Sequence, residues 1–231
     1  MEQKIIERGT QRWFIRKDSD DHLGPADHER GLEPIMRALM PEGGVFLDIG
    51  AHVGHWSIRL ASKAERVIAV EPNPQTLIVL GTNIGLNGLD NVEVHPYAAS
   101  DHDAGIVGLL DPNGRIGGGS VVSDEVALAH VVAEEMLART MRIDTLDLAR
   151  VDLVKIDVEG AEADVLRGMM ATIERCRPTM VIEMHHLIYP GQGIEEDVAE
   201  ALADAAYTHR EVYALGESVY WLARHVESVD T

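Results

Sequence analysis

Aromatic side chains make up only 4% of this 231-residue chain, and it has a single cysteine, Cys176. A core so poor in rings must rest on Val, Ile, Leu, Met and Ala, which favours parallel strands between helices. One cysteine excludes an internal disulfide and any cysteine-rich metal site. Within Ile173-Glu174-Arg175-Cys176-Arg177-Pro178, just ahead of a strand, it reads as structural. Positive charge is scarce too: 20 Lys and Arg face 39 Asp and Glu, for a formal net charge of -19. Such a surface repels a phosphate backbone, so nucleic acid is not expected as a partner. Long apolar runs are missing, and after Met1-Glu2-Gln3-Lys4 only Ile5-Ile6 precedes the return of charge. That predicts a cytoplasmic protein with no membrane span, no cleaved leader and no membrane partner.

What is present is a strand–helix alternation long enough for one sizeable α/β domain. Residues 1–44 read as an N-terminal helical leader packing on the core, with a helical stretch from Leu32 to Met40 and Arg8, Arg12, Arg16 and Lys17 on a solvated helix face. The domain proper runs over 45–231. Val45 to Ile49 predicts a strand and Trp56 to Ser62 a helix; Val67 to Val70, Gln75 to Leu86 and Val92 to His95 repeat the pattern. The rhythm breaks in an insertion at about 103–140. There Ile106 to Leu110 predicts a short strand, Asp111-Pro112-Asn113-Gly114 a turn, and Gly117-Gly118-Gly119-Ser120 a flexible stretch near the site. Alternation resumes with Val151 to Ile156, a helix over Glu162 to Met170, a strand over Thr179 to Met184 and a helix over Ile194 to Ala206. Thr208 to Tyr213 and Ser218 to Leu222, separated by Gly216, predict a closing hairpin. The fold class is therefore α/β, a doubly wound and mostly parallel Rossmann-like sheet with an antiparallel C-terminal hairpin.

The densest information lies in Val45-Phe46-Leu47-Asp48-Ile49-Gly50-Ala51-His52-Val53-Gly54, an apolar strand running into Asp-x-Gly-x-x-x-Gly and a helix. Gly50 permits a sharp backbone turn close to a ligand, and Gly54 lets the next helix start tight against the sheet. The spacing is not that of a dinucleotide fingerprint, which argues against a nicotinamide-dependent dehydrogenase. An acid just before the first glycine suits a cationic, hydroxyl-rich ligand better than a pyrophosphate, and S-adenosylmethionine is such a ligand. The next strand ends at Glu71-Pro72-Asn73, where a carboxylate is placed to accept from both ribose hydroxyls. Ala99-Ser100-Asp101, at the expected end of the third strand, offers small residues and then an acid, suited to an adenine face and its exocyclic amine. A further acidic segment, Lys155-Ile156-Asp157-Val158-Glu159-Gly160-Ala161-Glu162, puts Asp157 at the pocket edge and Glu159 in the following turn. Glu162 is explained by the dipole of the helix it opens, whereas a carboxylate at the end of a buried strand, such as Asp157, calls for a partner or a ligand.

Together with Thr145-Leu146-Asp147, these segments resemble the FkbM family of S-adenosylmethionine-dependent methyltransferases over roughly Val45 to Glu183. The resemblance implies a class I methyltransferase fold whose seventh strand is antiparallel, and O-methylation of hydroxyls on sugars, polyketides or other small metabolites. His52 stands where the family commonly has Asn, and His55 where an aromatic is often found. Because a sulfonium methyl is already activated, the protein must mainly align the acceptor and remove its proton. Asp157, Glu159 and His185 are the candidate bases; the same three are the ligand set for a divalent ion, a possibility that is not favoured. A non-catalytic nucleotide-binding module and a methyltransferase acting on a protein are the competing readings. Nothing in the sequence speaks to oligomeric state.

Overall fold

The computed structural model describes residues 3–16, 29–110, 120–122, 136–184, 194–216 and 218–228. It begins with a hairpin, Gln3–Arg8 (β1) and Gln11–Arg16 (β2), followed by helix Glu33–Leu39 (α1). Next come Gly44–Ile49 (β3), His55–Ala61 (α2), Ala64–Val70 (β4), Pro74–Leu86 (α3) and Val92–His95 (β5). A smaller group holds Ala98–Ala99 (β6), Ile106–Leu110 (β7), Ser120–Val122 (β8) and Met136–Met141 (β9). The chain then returns through Leu153–Ile156 (β10), Glu162–Arg167 (α4), Met170–Cys176 (α5), Thr179–Met184 (β11), Ile194–Asp204 (α6), Tyr207–Leu215 (β12) and Ser218–His225 (β13).

The main sheet has the order β12-β13-β11-β10-β3-β4-β5. All neighbours from β11 to β5 run parallel, while β13 is antiparallel to both β11 and β12. Both faces are covered, which is why the central strands read as continuous apolar runs rather than alternating ones. Val45, Leu47 and Ile49 join the core on the α4–α6 side, and Phe46 joins the opposite core with Leu32, Met36, Trp56 and Leu60. From β3 the chain steps outward to β4 and β5, then crosses back to β10. The crevice between β3 and β10 is therefore the topological switch point, where an open α/β sheet binds its ligand.

Three expectations need correction. Residues 3–16 are a β-hairpin, not a helical face: Arg8 and Arg12 sit on opposite strands of the Gly9-Thr10 turn, with Gly9 at φ 60, and β2 alternates buried Trp13 with exposed Arg12. That is a period of two. Lys17 lies outside the described residues. The third strand of the main sheet stops at His95. Ala98–Ala99 instead pairs with β9 in a separate four-stranded sheet of order β6-β9-β7-β8. In the insertion, β7 coincides with the expected strand, while the Asp111 to Gly114 turn and Gly117 to Gly119 lie outside the described residues. Finally, the helix expected from Glu162 to Met170 breaks at Gly168, where a Cβ would fall 1.9 Å from the Ser100 carbonyl oxygen. A new helix starts at Met170, its first turn held by Asp144, which accepts from the N–H groups of Ala171 and Thr172.

Candidate functional site

At the switch point the backbone closes tightly. Gly50 has φ 79, and a Cβ there would lie 1.7 Å from the Asp157 carbonyl oxygen. The N–H groups of Gly50 and Ala51 both donate to the Val70 carbonyl, at 2.9 and 3.0 Å, and the Asp157 N–H donates to Ile49 at 3.0 Å. Only glycine fits that corner, since it alone combines left-handed backbone with so close an approach. The structure thus brings Gly50, Ala51 and Asp157 together. Gly54, at φ 94, packs against Leu80 and Ile58 and opens α2.

Glu71 ends β4 beside this turn. One carboxylate oxygen accepts from the His52 N–H and the other from the Asn73 N–H, each at 2.9 Å. Two backbone donors fix the plane of the carboxylate and leave each oxygen with acceptor capacity. Burial raises its pKa to about 7, against the opposing effect of the Asn73 and His52 N–H bonds, with Asp157 and Asp48 adding to the rise. Asn73 itself is occupied elsewhere: its side chain caps α3 by accepting from Gln75 and Thr76. Pro72 sits half-buried between the two.

Asp48 lies beneath the turn rather than on its surface, 1% exposed. One oxygen accepts the Ser57 hydroxyl at 2.6 Å, joining β3 to α2, and the other has no hydrogen-bond partner. Burial lifts its pKa to about 6 despite the attraction of Lys155 and the Ser57 bond. Ser100 and Asp101 make local contacts: the Ser100 N–H donates to Met141, and the exposed Asp101 pairs with His102 at 2.6 Å. That bond to His102 holds the Asp101 carboxyl below its usual range. Ala99 is buried in the core shared with Val70 and Ile49.

The acidic segment after β10 holds a network that the sequence reading missed. Lys155, 2% exposed in mid-strand, directs its ammonium to Asp157 at 2.5 Å and toward Glu29 and Glu183 at 3.9 Å each. Burial alone would lower its pKa, but Asp157, Glu29 and Glu183 outweigh it and raise the value well above that of an ordinary amine. Glu29 also accepts from the Trp56 indole at 2.6 Å and the Tyr220 hydroxyl at 2.8 Å. Burial and these acids push the Tyr220 hydroxyl strongly upward, so it serves as a donor. Among the described residues, Glu29, Asp157 and Glu183 are the acids close enough to share an ion. A lysine ammonium already supplies positive charge to that group. Glu159 is half-buried at φ 55 in the turn and is not one of the three, and His185 lies outside the described residues. Glu162, expected only to meet a helix dipole, is fully buried and accepts the Gly160 N–H at 3.0 Å, which closes the same turn.

Fold and site together define a class I methyltransferase: a mostly parallel sheet with an inserted antiparallel last strand, a glycine turn at the switch point and an acid ending the second strand. The FkbM methyltransferase domain matches residues 48–214, and the chain belongs to that family of S-adenosylmethionine-dependent enzymes. Solved structures with the same fold include FkbM methyltransferase from Methylobacillus flagellatus, at 19% identity and TM-score 0.53, over 78% of this chain. The chain spans 43% of that protein. TYW2 from M. jannaschii in complex with AdoMet aligns at 16% identity and TM-score 0.52, covering 96% of this chain and 84% of the other. Precorrin-6y C5,15-methyltransferase from Geobacter metallireducens aligns at 17% identity and TM-score 0.51, over 89% and 93%. No curated protein matches the chain in sequence. Among the described residues, no helix is long and apolar enough to cross a membrane.

Proposed function

We propose that this enzyme transfers a methyl group from S-adenosylmethionine to a hydroxyl of a small metabolite, such as a sugar, a polyketide or another natural product, in the cytoplasm. The observation that carries the cofactor assignment is the Glu71 carboxylate, held by two backbone N–H groups at the end of β4 beside the Gly50 turn. The residues present fit: a fixed acceptor pair suits two vicinal ribose hydroxyls, and the bare backbone of Gly50 admits a ligand close to the strand ends. Asp48 supports the turn from below through Ser57, while Ala51, His52, Gly54, Pro72 and Asn73 shape its walls. Ala99, Ser100 and Asp101 are assigned to the adenine side. When bound, the cofactor supplies an activated methyl on a sulfonium.

The chain's own task is then to orient the acceptor and take its proton. Asp157 is held at the edge of the crevice by Lys155, and in this reading its carboxylate accepts from the acceptor hydroxyl and sets its direction. Glu159, one turn beyond, and His185, directly after β11, are the groups assigned to receive the proton. The net charge of -19 supports a small acceptor over a nucleic acid or an anionic membrane. Calorimetric titration of S-adenosylmethionine into the parent and Glu71→Ala tests the cofactor half. Micromolar binding lost in the variant is the expected result, and a folded parent that binds nothing would overturn it. Transfer of a labelled methyl to a panel of hydroxylated metabolites and basic peptides tests the acceptor; labelling of peptides alone would reassign it to protein.

A further inference from the structure

We propose that the N-terminal hairpin is a working part of the cofactor site and that Asn83 is the positioning residue connecting the two. The proposal rests on the reading of Glu71 and the Gly50 turn as the S-adenosylmethionine site. The hairpin lies ahead of the family domain, which begins at residue 48. Strand β2 runs along α3, where Asn83 and Asn87 share one helix face four residues apart. Asn87 clamps Arg12 from both sides, its Oδ1 accepting the Arg12 N–H at 2.9 Å and its Nδ2 donating to the Arg12 carbonyl at 2.7 Å.

Asn83 does something different. It is fully buried, accepts the Phe14 N–H at 2.7 Å and donates to the Val53 carbonyl at 3.0 Å. Val53 belongs to the turn between Gly50 and Gly54, so one amide bridges the hairpin to the cofactor cradle. Phe14 packs with Val53 and Val79, so apolar contact follows the same line. A second line runs through rings. Buried Trp13 meets His55 edge-on with centroids 5.5 Å apart, and His55 meets His52 at 6.0 Å. His52 is a non-glycine residue at φ 52, a conformation that persists only where surroundings impose it. Its N–H is one of the two that aim Glu71. Hairpin position therefore reaches the ribose acid through Val53 and through His52.

The test is calorimetry with S-adenosylhomocysteine on the full chain, below the onset of unfolding of each variant. Asn83→Asp keeps an acceptor for Phe14 but sets an oxygen against the Val53 carbonyl, and the expected result is an affinity at least tenfold weaker. A merely structural asparagine would lower the melting temperature and leave the dissociation constant unmoved. Coupling is reciprocal, so in the parent a saturating ligand should slow amide exchange at Phe14 by at least about tenfold. That measurement decides the matter if Asn83→Asp does not fold. The proposal is overturned on its own if Phe14 exchange and the Asn83→Asp affinity stay within twofold while the parent binds and Glu71→Ala does not. A parent that fails to bind overturns the cofactor reading and this proposal with it.

Discussion

Replacing Asp48 by asparagine should make the ligand-free protein more stable at pH 8 and no more stable, or slightly less, at pH 4. The carboxyl is 1% exposed, and its pKa stands at about 6 against an ordinary 3.8. For an acid shifted upward, the protonated form is the one that folding favours. Its contribution is thus fully present below the unfolded value and is lost as pH rises through the folded one. At pH 8 the ionised side chain costs about 3 kcal/mol relative to a neutral one, at pH 5 about 1.6 and at pH 4 about 0.6. An asparagine oxygen can accept the Ser57 hydroxyl as the carboxylate does, and its amide nitrogen takes the place of the oxygen that has no hydrogen-bond partner. Burying that amide returns roughly 1 kcal/mol. The expected net gain at pH 8 is therefore about 2 kcal/mol. Urea denaturation reads this as a midpoint shift of the order of 1 M at constant slope. A variant that is destabilised at pH 8, or whose gain is the same at pH 8 and pH 4, would refute the reasoning. Either result would mean that Asp48 is ionised in the fold and that attraction to Lys155 at least offsets the effect of burial.

Other perturbations follow from the same geometry. Because Glu71 has its pKa raised to about 7, and a carboxylate accepts from hydroxyls better when ionised, S-adenosylmethionine affinity should weaken as pH falls from 8 to 6, by up to tenfold per unit below 7; calorimetry across that range checks it, and Glu71→Gln should flatten the dependence. Gly50→Ala and Gly9→Ala both place a side chain on left-handed backbone, but only the first meets another backbone atom. Gly9→Ala should therefore cost about 1 kcal/mol in denaturant and Gly50→Ala several times that, with loss of cofactor binding. Lys155→Met removes the ammonium that Asp157, Glu29 and Glu183 share and should cost about 3–5 kcal/mol at neutral pH. Thermal unfolding of the variant beside the parent at neutral pH checks that loss.

Much of this architecture can be read from local pattern. Val45 to Ile49, Val67 to Val70 and Thr179 to Met184 are mostly apolar runs with an acid at or next to their end, and a strand buried on both faces reads that way without tertiary information. Strand β9 is not legible in the same manner, because Arg139 and Thr140 interrupt its apolar residues. The N-terminal hairpin hides its period of two behind charges at Glu7, Arg8, Arg12 and Arg16. Gly50 and Glu71 could be assigned because the turn and the acid sit in one βαβ unit. Glu29 could not: its donors Trp56 and Tyr220 stand 27 and 191 residues away, and no periodicity spans that distance. Lys155 carried a usable signal, a lone cation inside Leu153-Val154-Lys155-Ile156. A charge in a doubly covered strand demands buried partners of opposite sign.

Strand β13, the last of the described strands, lies between β11 and β12. Strand β12 precedes it in sequence yet, among the described residues, pairs with the sheet only through β13, so its ladder hydrogen bonds depend on that strand. Without residues 218–225 the sheet would have an open β11 edge and β12 would have no strand to join. An unpaired strand edge is a template for pairing with another chain, and residues 218–225 remove it by pairing on both sides at once.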